Sequence, residues 1–109
     1  MEMSQIPFTQ IEWKKITPQT IAGITGSSIM RCHETAGIRI RLIEYSSGFC
    51  SDHFCGKGHV VHVLAGSCVL RLSDGRSFTL PAGSSFVVGD GIDAHRAESP
   101  DGATVFIVD

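Results

Sequence analysis

Alternation of apolar and polar side chains runs through Gly37-Ile38-Arg39-Ile40-Arg41-Leu42-Ile43-Glu44-Tyr45. Residues two apart on a β-strand point to the same face, so Ile38, Ile40 and Leu42 share one face and the two arginines share the other. The apolar face predicts the inner side of a sheet. We therefore expect Arg39 and Arg41 in solvent or at an interface; they would meet a carboxylate substrate only if their face lined the interior.

Short runs of the same kind recur along the chain, over 28–32, 59–64, 68–72, 77–80, 86–88 and 104–108. Turn residues separate these runs. Between two of them, Asp74-Gly75 predicts a hairpin with a type I′ turn. Helical spacing is restricted to Pro18–Ile24, which could hold a short turn. Many short strands at regular spacing predict an all-β fold, either a sandwich or a barrel.

Length and charge narrow the class of protein. The chain has 109 residues, which predicts one domain over 1–109. Within it, 1–26 would form a segment that packs on the barrel or on a partner, with Trp13 as its anchor. The net charge of −2 argues against nucleic acid or an anionic membrane as a partner.

The chain shows no signal for export or membrane insertion. It lacks a basic start followed by an apolar run, and its apolar stretches are too short to span a bilayer. These features predict a cytoplasmic protein. In that compartment we expect its four cysteines to be reduced. They are Cys32, Cys50, Cys55 and Cys68.

Histidine and cysteine concentrate in Asp52-His53-Phe54-Cys55-Gly56-Lys57-Gly58-His59. On a strand, His53 and Cys55 would share a face, and the glycines could turn the chain so that His59 faces the same pocket. His95 follows a glycine-rich turn, from which it could supply a fourth donor. Each residue alone has an ordinary structural alternative. Together they predict a metal site, because imidazole and thiolate bind zinc, iron, nickel and copper.

The neighbouring polar residues fit plainer roles. His62 lies three residues after His59, so it would face the opposite side of a strand, at a surface or a subunit contact. His33 precedes a turn and would be solvated. Asp52 could orient a ligand imidazole or simply make a structural hydrogen bond.

The same segment resembles the first sequence motif of the cupin superfamily, a His-x-His pair followed by a glutamate and then a glycine. His53 and Cys55 stand at the pair, His59 stands at the glutamate, and Gly66 follows His59 by seven residues. The second cupin motif is similar to the stretch from Gly83 to His95. Here a glycine replaces the usual proline, and His95 comes one residue later than usual.

A closer resemblance is to the cupin family named for its DHCW motif, a group of small proteins without an established activity. It rests on Ser51–His59 and on Arg39–Ser46, Asp74–Leu80, His95-Arg96 and Phe106–Asp109, and covers nearly the whole chain after about Ile24. Phe54 stands where that family usually has tryptophan. The resemblance implies a single-domain jelly-roll β-barrel that forms a homodimer.

The resemblance also implies how the metal would be held. His53, Cys55, His59 and His95 occupy the cupin ligand positions, with a thiolate supplying the one negative charge that a glutamate usually supplies. This softer donor set favours zinc, with iron, nickel or copper as alternatives. Three functions stay open: a metal-dependent enzyme acting on a small organic substrate, a non-catalytic protein that binds or senses a small molecule, and a structural zinc site.

Overall fold

The computed structural model of the protein describes residues 3–109. Within this range it has one 3₁₀ turn, Trp13–Lys15, and nine strands. The strands are β1 Gln19–Ala22, β2 Ser27–Thr35, β3 Ile38–Tyr45, β4 Phe49–Cys50, β5 His59–Leu72, β6 Ser77–Pro81, β7 Ser85–Val88, β8 His95–Ser99 and β9 Ala103–Val108. The predicted all-β class is confirmed. No helix in residues 3–109 is long and apolar enough to cross a membrane.

Two antiparallel sheets share the long strand β5. The first sheet has the order β1-β2-β3-β9-β5-β7, and the second has the order β4-β8-β5-β6. The first half of β5 pairs with β9 and β7, whereas its second half pairs with β6 and β8. The sheets therefore curl around a common interior, as in a jelly roll.

The passage of β5 from one sheet to the other depends on a bulge and a glycine. The register with β9 shifts between Val63 and Ala65, and Gly66 follows with a φ of 71°. A Cβ atom on Gly66 would collide with the carbonyl oxygen of Gly102. A bulge bends a strand, and glycine tolerates both the positive φ and the close approach. The sequence predicted two strands over this region, where the structure has one.

The apolar core lies between the sheets. Val63 and Val105 have 0% and 1% of their surface exposed. Ile43, Val61, Cys68, Ala103 and Ile107 complete the buried cluster. On β9 the buried residues alternate, as one inward-facing side of a strand requires.

The prediction for the inner face of β3 was wrong. Arg39, Arg41, Ile43 and Tyr45 line the interior cavity, and Ile38, Ile40 and Leu42 lie on the other side of the strand. The outer apolar face of β3 has its own cover: Leu42 pairs with Phe106, and the ring of Trp13 packs edge-on against Phe106 at 6.4 Å. Because the N-terminal segment shields this face, alternation alone did not identify the inner side.

Two local predictions also differ from the structure. The segment around Pro18–Ile24 forms the edge strand β1 instead of a helical turn, because it pairs with β2. The hairpin between β5 and β6 is confirmed, but four residues, 73–76, separate the two strands. Leu72 donates a backbone hydrogen bond to Arg76, and Gly75 has a φ of 98° without a second left-handed residue beside it. This excludes a type I′ turn, which needs two such residues.

Candidate metal centre

Three predicted ligands meet inside the barrel. One donor atom each from Cys55, His59 and His95 lies within 4.8 Å of the other two. His59 is the first residue of β5 and His95 is the first residue of β8, whereas Cys55 joins them through an isolated β-bridge to His95. The two histidines are buried and Cys55 is half-buried. The fold thus brings together two strand starts and one loop residue.

Oxygen acceptors hold the Nδ1 atoms of both imidazoles. His59 Nδ1 donates to Asp109 Oδ2 at 2.9 Å, and His95 Nδ1 donates to the backbone carbonyl of Asp93 at 3.0 Å. A backbone carbonyl and an ionised carboxylate can only accept, so each Nδ1 atom carries a hydrogen. Both Nε2 atoms are consequently left to act as lone-pair donors toward the interior.

The two Nε2 atoms face each other at 2.7 Å. The rings meet edge to face, with their centroids 4.8 Å apart. Burial lowers the pKa of His59; its hydrogen bond to Asp109 opposes this shift, and the nearby His95 adds to it. Neutral imidazoles with both Nδ1 atoms protonated would place two lone pairs in contact. Such an arrangement needs a cation, either a proton or a metal ion, to be stable.

Asp109 connects the imidazole pair to two arginines. Its side chain is 1% exposed and accepts hydrogen bonds from Arg39 Nε, Arg39 Nη2, Arg41 Nη2 and His59 Nδ1. Burial alone would raise the pKa of this carboxyl, but the hydrogen bonds from Arg39 and His59 and the charges of the two arginines lower it to about 2. Asp109 is therefore ionised near neutral pH and fixes the tautomer of His59.

Backbone contacts fix the position of Cys55. Its N–H donates to the carbonyl of His95 at 2.6 Å, and the N–H of His95 donates to the carbonyl of Cys55 at 3.0 Å. The backbone N–H of Lys57 donates to Cys55 Sγ at 3.4 Å. Gly58 N–H donates to Asp90 Oδ1 at 2.7 Å, which ties the end of this loop to the turn before β8. These backbone contacts hold the sulfur beside the two imidazoles.

The structure does not bring the fourth predicted ligand, His53, into the cluster. Its Nδ1 atom pairs with Asp52 Oδ1 at 2.7 Å, and its side chain is 72% exposed. Strand alternation predicted that His53 and Cys55 would point inward together, but no strand forms over residues 51–58. His53 does line the same cavity as the cluster. Its role as a ligand stays a prediction.

Sequence reasoning missed the part that Asp109 plays. A signal for it exists, because Asp109 continues the series Ala103, Val105 and Ile107, the buried positions of β9. An acidic residue at an inward position needs a buried partner. The partners come from β3 and β5, which flank β9 in the first sheet.

A cavity of about 310 Å³ adjoins the cluster. Cys55, His59 and His95 form part of its wall, together with Met30, Arg41 and Tyr45. Its volume lies at the lower end of the range for pockets that hold small molecules. The donor atoms thus face a space that a small ligand can enter.

Comparisons with known proteins identify the architecture. No protein-family model and no curated protein match the sequence. Among solved structures, a predicted oxalate decarboxylase from Thermotoga maritima has a TM-score of 0.75 and 17% identity, covering 92% of this chain and 96% of its own. A sugar phosphate isomerase of a cupin superfamily from Silicibacter pomeroyi has a TM-score of 0.72 and 17% identity, covering 92% of this chain and 74% of its own.

The chain has the cupin fold. HppE, solved with Fe(II) and an alternative substrate, also shares this fold, with a TM-score of 0.77 and 12% identity over 99% of this chain and 62% of its own. Identities this low establish the architecture and leave the activity open, because one fold carries many chemistries. The predicted cupin barrel is confirmed, and the narrower resemblance to the DHCW family stays a prediction.

Proposed function

We propose that this cupin-fold protein binds a divalent metal ion through Cys55, His59 and His95 and uses it on a small organic substrate. The observation that carries the proposal is the convergence of one donor atom each from Cys55, His59 and His95 within 4.8 Å, with both imidazole Nδ1 atoms already committed as donors. A metal ion would satisfy both Nε2 lone pairs after the two atoms separate from 2.7 Å to about 3.3 Å, the spacing of two donors on a tetrahedral ion. The thiolate of Cys55 adds one negative charge, which partly neutralises a divalent ion.

The number of donors favours an open site. Structural zinc sites are closed by four protein ligands, whereas catalytic zinc sites have three protein ligands and an exchangeable position. The cluster offers three donors and faces a cavity of about 310 Å³. When bound, a divalent ion would supply Lewis-acid polarisation of an oxygen on the substrate or activation of a water.

The donor set favours zinc, with iron, nickel or copper as alternatives. Thiolate and imidazole are soft to borderline donors, which argues against magnesium and calcium. The Fe(II) in HppE shows that a protein of this fold holds iron. That neighbour supports iron as the first alternative for this protein.

The test measures the metal content of the protein and the absorption band that a cysteine thiolate gives with cobalt(II). We expect the purified protein to retain close to one equivalent of metal by mass spectrometry. Cobalt(II) added to metal-free protein should give a thiolate-to-metal charge-transfer band in the near ultraviolet. Cys55→Ser should abolish the band, and Cys50→Ser should keep it, because Cys50 is half-buried outside the cluster. Equal cobalt spectra for Cys55→Ser and the unmodified protein would overturn the proposal.

A screen for turnover then separates catalysis from binding. The metal-loaded protein is incubated with small organic acids, aldehydes and sugars, and products and oxygen uptake are measured. Turnover that chelation removes and zinc or iron restores is the expected result. Saturable binding without turnover across these classes would assign the protein to the non-catalytic alternative.

A further inference from the structure

Three arginines share the interior cavity with the candidate metal centre: Arg39 and Arg41 of β3, and Arg96 of β8. Arg39 and Arg41 extend from the inner face of β3 and line the cavity that also contacts Cys55, His59 and His95. The side chain of Arg41 is 14% exposed and that of Arg39 is 40% exposed. Arg41 Nη2 and His59 Nδ1 both donate to Asp109 Oδ2, so this guanidinium and the candidate ligand lie two hydrogen bonds apart.

Positive charge exceeds negative charge at this point of the barrel wall. The carboxylate of Asp109 faces two guanidinium groups, and Glu34, which pairs in register with Arg39, is exposed. The thiolate of Cys55 offsets only half of the charge of a divalent ion. An interior with this balance attracts an anion once the metal is bound.

Arg41 retains unused hydrogen-bond donors. A guanidinium has five N–H groups. Within residues 3–109, Arg41 makes one side-chain hydrogen bond, to Asp109, and its Nε atom is buried without a partner. The Nε atom is closed off from solvent, so the donors that a ligand in the cavity can meet are the Nη hydrogens that do not bond Asp109. The planar guanidinium suits a carboxylate in particular, since two parallel hydrogen bonds can form.

The rest of the cavity wall is mainly apolar. Met30, Ile43, Phe49 and Val61 line it, and the ring of Tyr45 stacks on Phe49 with the centroids 4.6 Å apart. Burial raises the pKa of Tyr45, which keeps its hydroxyl neutral. A ligand that complements this wall carries an apolar body as well as its charged group.

We propose that the cavity takes a small organic acid, whose carboxylate binds Arg41 and whose apolar body packs on Met30, Ile43 and Phe49. The inference names a substrate class for the proposed metal site. It rests on that proposed function only for contact between the acid and the metal ion; the contact between the acid and Arg41 needs no metal. Arg41 is then a binding residue for the ligand as well as a support for Asp109.

Hexanoate and hexanamide test the proposal, because they match in size and shape and differ in charge. Their dissociation constants are measured by nuclear magnetic resonance titration on both metal-free and zinc-loaded protein. We expect the acid to bind at least about 10-fold more tightly than the amide in both forms, since a charge-assisted pair replaces a neutral one. Equal affinities for acid and amide would overturn the proposal. This comparison needs no variant.

Variants then assign the preference to Arg41. Arg41→Gln should lose about 10-fold or more in hexanoate affinity and leave hexanamide affinity nearly unchanged. Arg41→Lys should fall in between, because it keeps the charge and loses the paired geometry. The matched control is Arg71→Gln, which removes an exposed guanidinium that bonds Glu98. If Arg41→Gln keeps the preference for the acid, the assignment to Arg41 is wrong. If Arg41→Gln fails to fold, the affinity of Arg41→Lys for hexanoate tests the assignment instead.

The design separates this proposal from the metal proposal. Acid preference in metal-free protein that takes up no zinc would support the acid site and overturn the metal site. Zinc uptake with equal binding of acid and amide would support the metal site and overturn the acid site. Zinc content is measured in every variant, because Arg41 also contacts the carboxylate that holds His59.

Discussion

His59 and His53 belong to one short segment of the sequence but to two different environments. His59 is the first residue of the long strand β5. Its side chain is 7% exposed, and its Nδ1 atom donates a hydrogen bond to a buried carboxylate. The side chain of His53 is 72% exposed, lies between strands and pairs with its exposed neighbour Asp52. The same residue type is thus restrained in one place and nearly free in the other. A histidine becomes a credible ligand when the fold restrains it.

The largest expected effect is the loss of a restrained imidazole. His59→Gln should weaken zinc binding by more than about 100-fold, because losing a ligand exceeds the 10–100-fold loss caused by losing an outer partner. His62→Gln is the matched control, since His62 lies on the opposite face of β5 and pairs with Ser85. Competition with a chromophoric chelator measures both. Similar zinc affinities for the two variants would contradict the assignment of His59 as a zinc ligand.

Removing the restraint while keeping the imidazole should have the next largest effect. Asp109→Asn leaves His59 without a carboxylate partner and should weaken zinc binding by about 10–100-fold. It should also lower the free energy of unfolding by about 3 kcal/mol, because Arg39 and Arg41 lose a buried counter-ion. Chemical denaturation and zinc competition measure the two effects. Asp101→Asn, in an exposed turn, should change neither.

Two truncations of apolar side chains compare the stability that the barrel core contributes with the stability that the loop before β5 contributes. Val63→Ala, at a fully buried position on β5, should lower the free energy of unfolding by about 2 kcal/mol through lost burial and an added cavity. Phe54→Ala should cost less than about 1 kcal/mol, because this ring is 41% exposed and contacts the guanidinium of Arg96 at 4.9 Å. Thermal and urea denaturation give both values. A larger loss for Phe54→Ala would show that the loop supports the barrel.

The smallest expected effect is at His53. His53→Gln should change zinc affinity by less than about threefold, which is under about 0.7 kcal/mol, because this side chain is 72% exposed and lies outside the cluster. The measurement is the same chelator competition. A loss comparable to that of His59→Gln would mean that His53 turns inward when metal binds, and would restore the four-ligand set predicted from the sequence.

Much of the architecture was readable from the chain. Period-two patterning predicted most strands, and Asp74-Gly75 located one hairpin, because alternation and turn chemistry are local properties. The joining of 59–64 and 68–72 into one strand was not readable. It depends on a bulge at Val63 and on the approach of Gly66 to Gly102, which lies far along the chain.

The candidate site also has some residues that the sequence predicted and others that it did not. Sequence spacing picked out Cys55, His59 and His95, whose donor atoms the structure brings within 4.8 Å of one another. It did not connect the carboxylate of Asp109 with His59, because this hydrogen bond joins residues 50 positions apart. It also assigned Arg39 and Arg41 to the wrong face, since the cover over the opposite face comes from Trp13 and Phe106.

The sequence by itself determined the residue types and their period, and hence an all-β fold, and its resemblance to the cupin motifs implied the barrel and a set of imidazole and thiolate donors. Only the tertiary structure decided which face of β3 is inside, which histidines are restrained and which carboxylate restrains them. The physical reason is that alternation assigns residues to two faces without naming the inner one. That choice is made by strand pairing and by the segments that cover each face, which bring together residues distant in the chain.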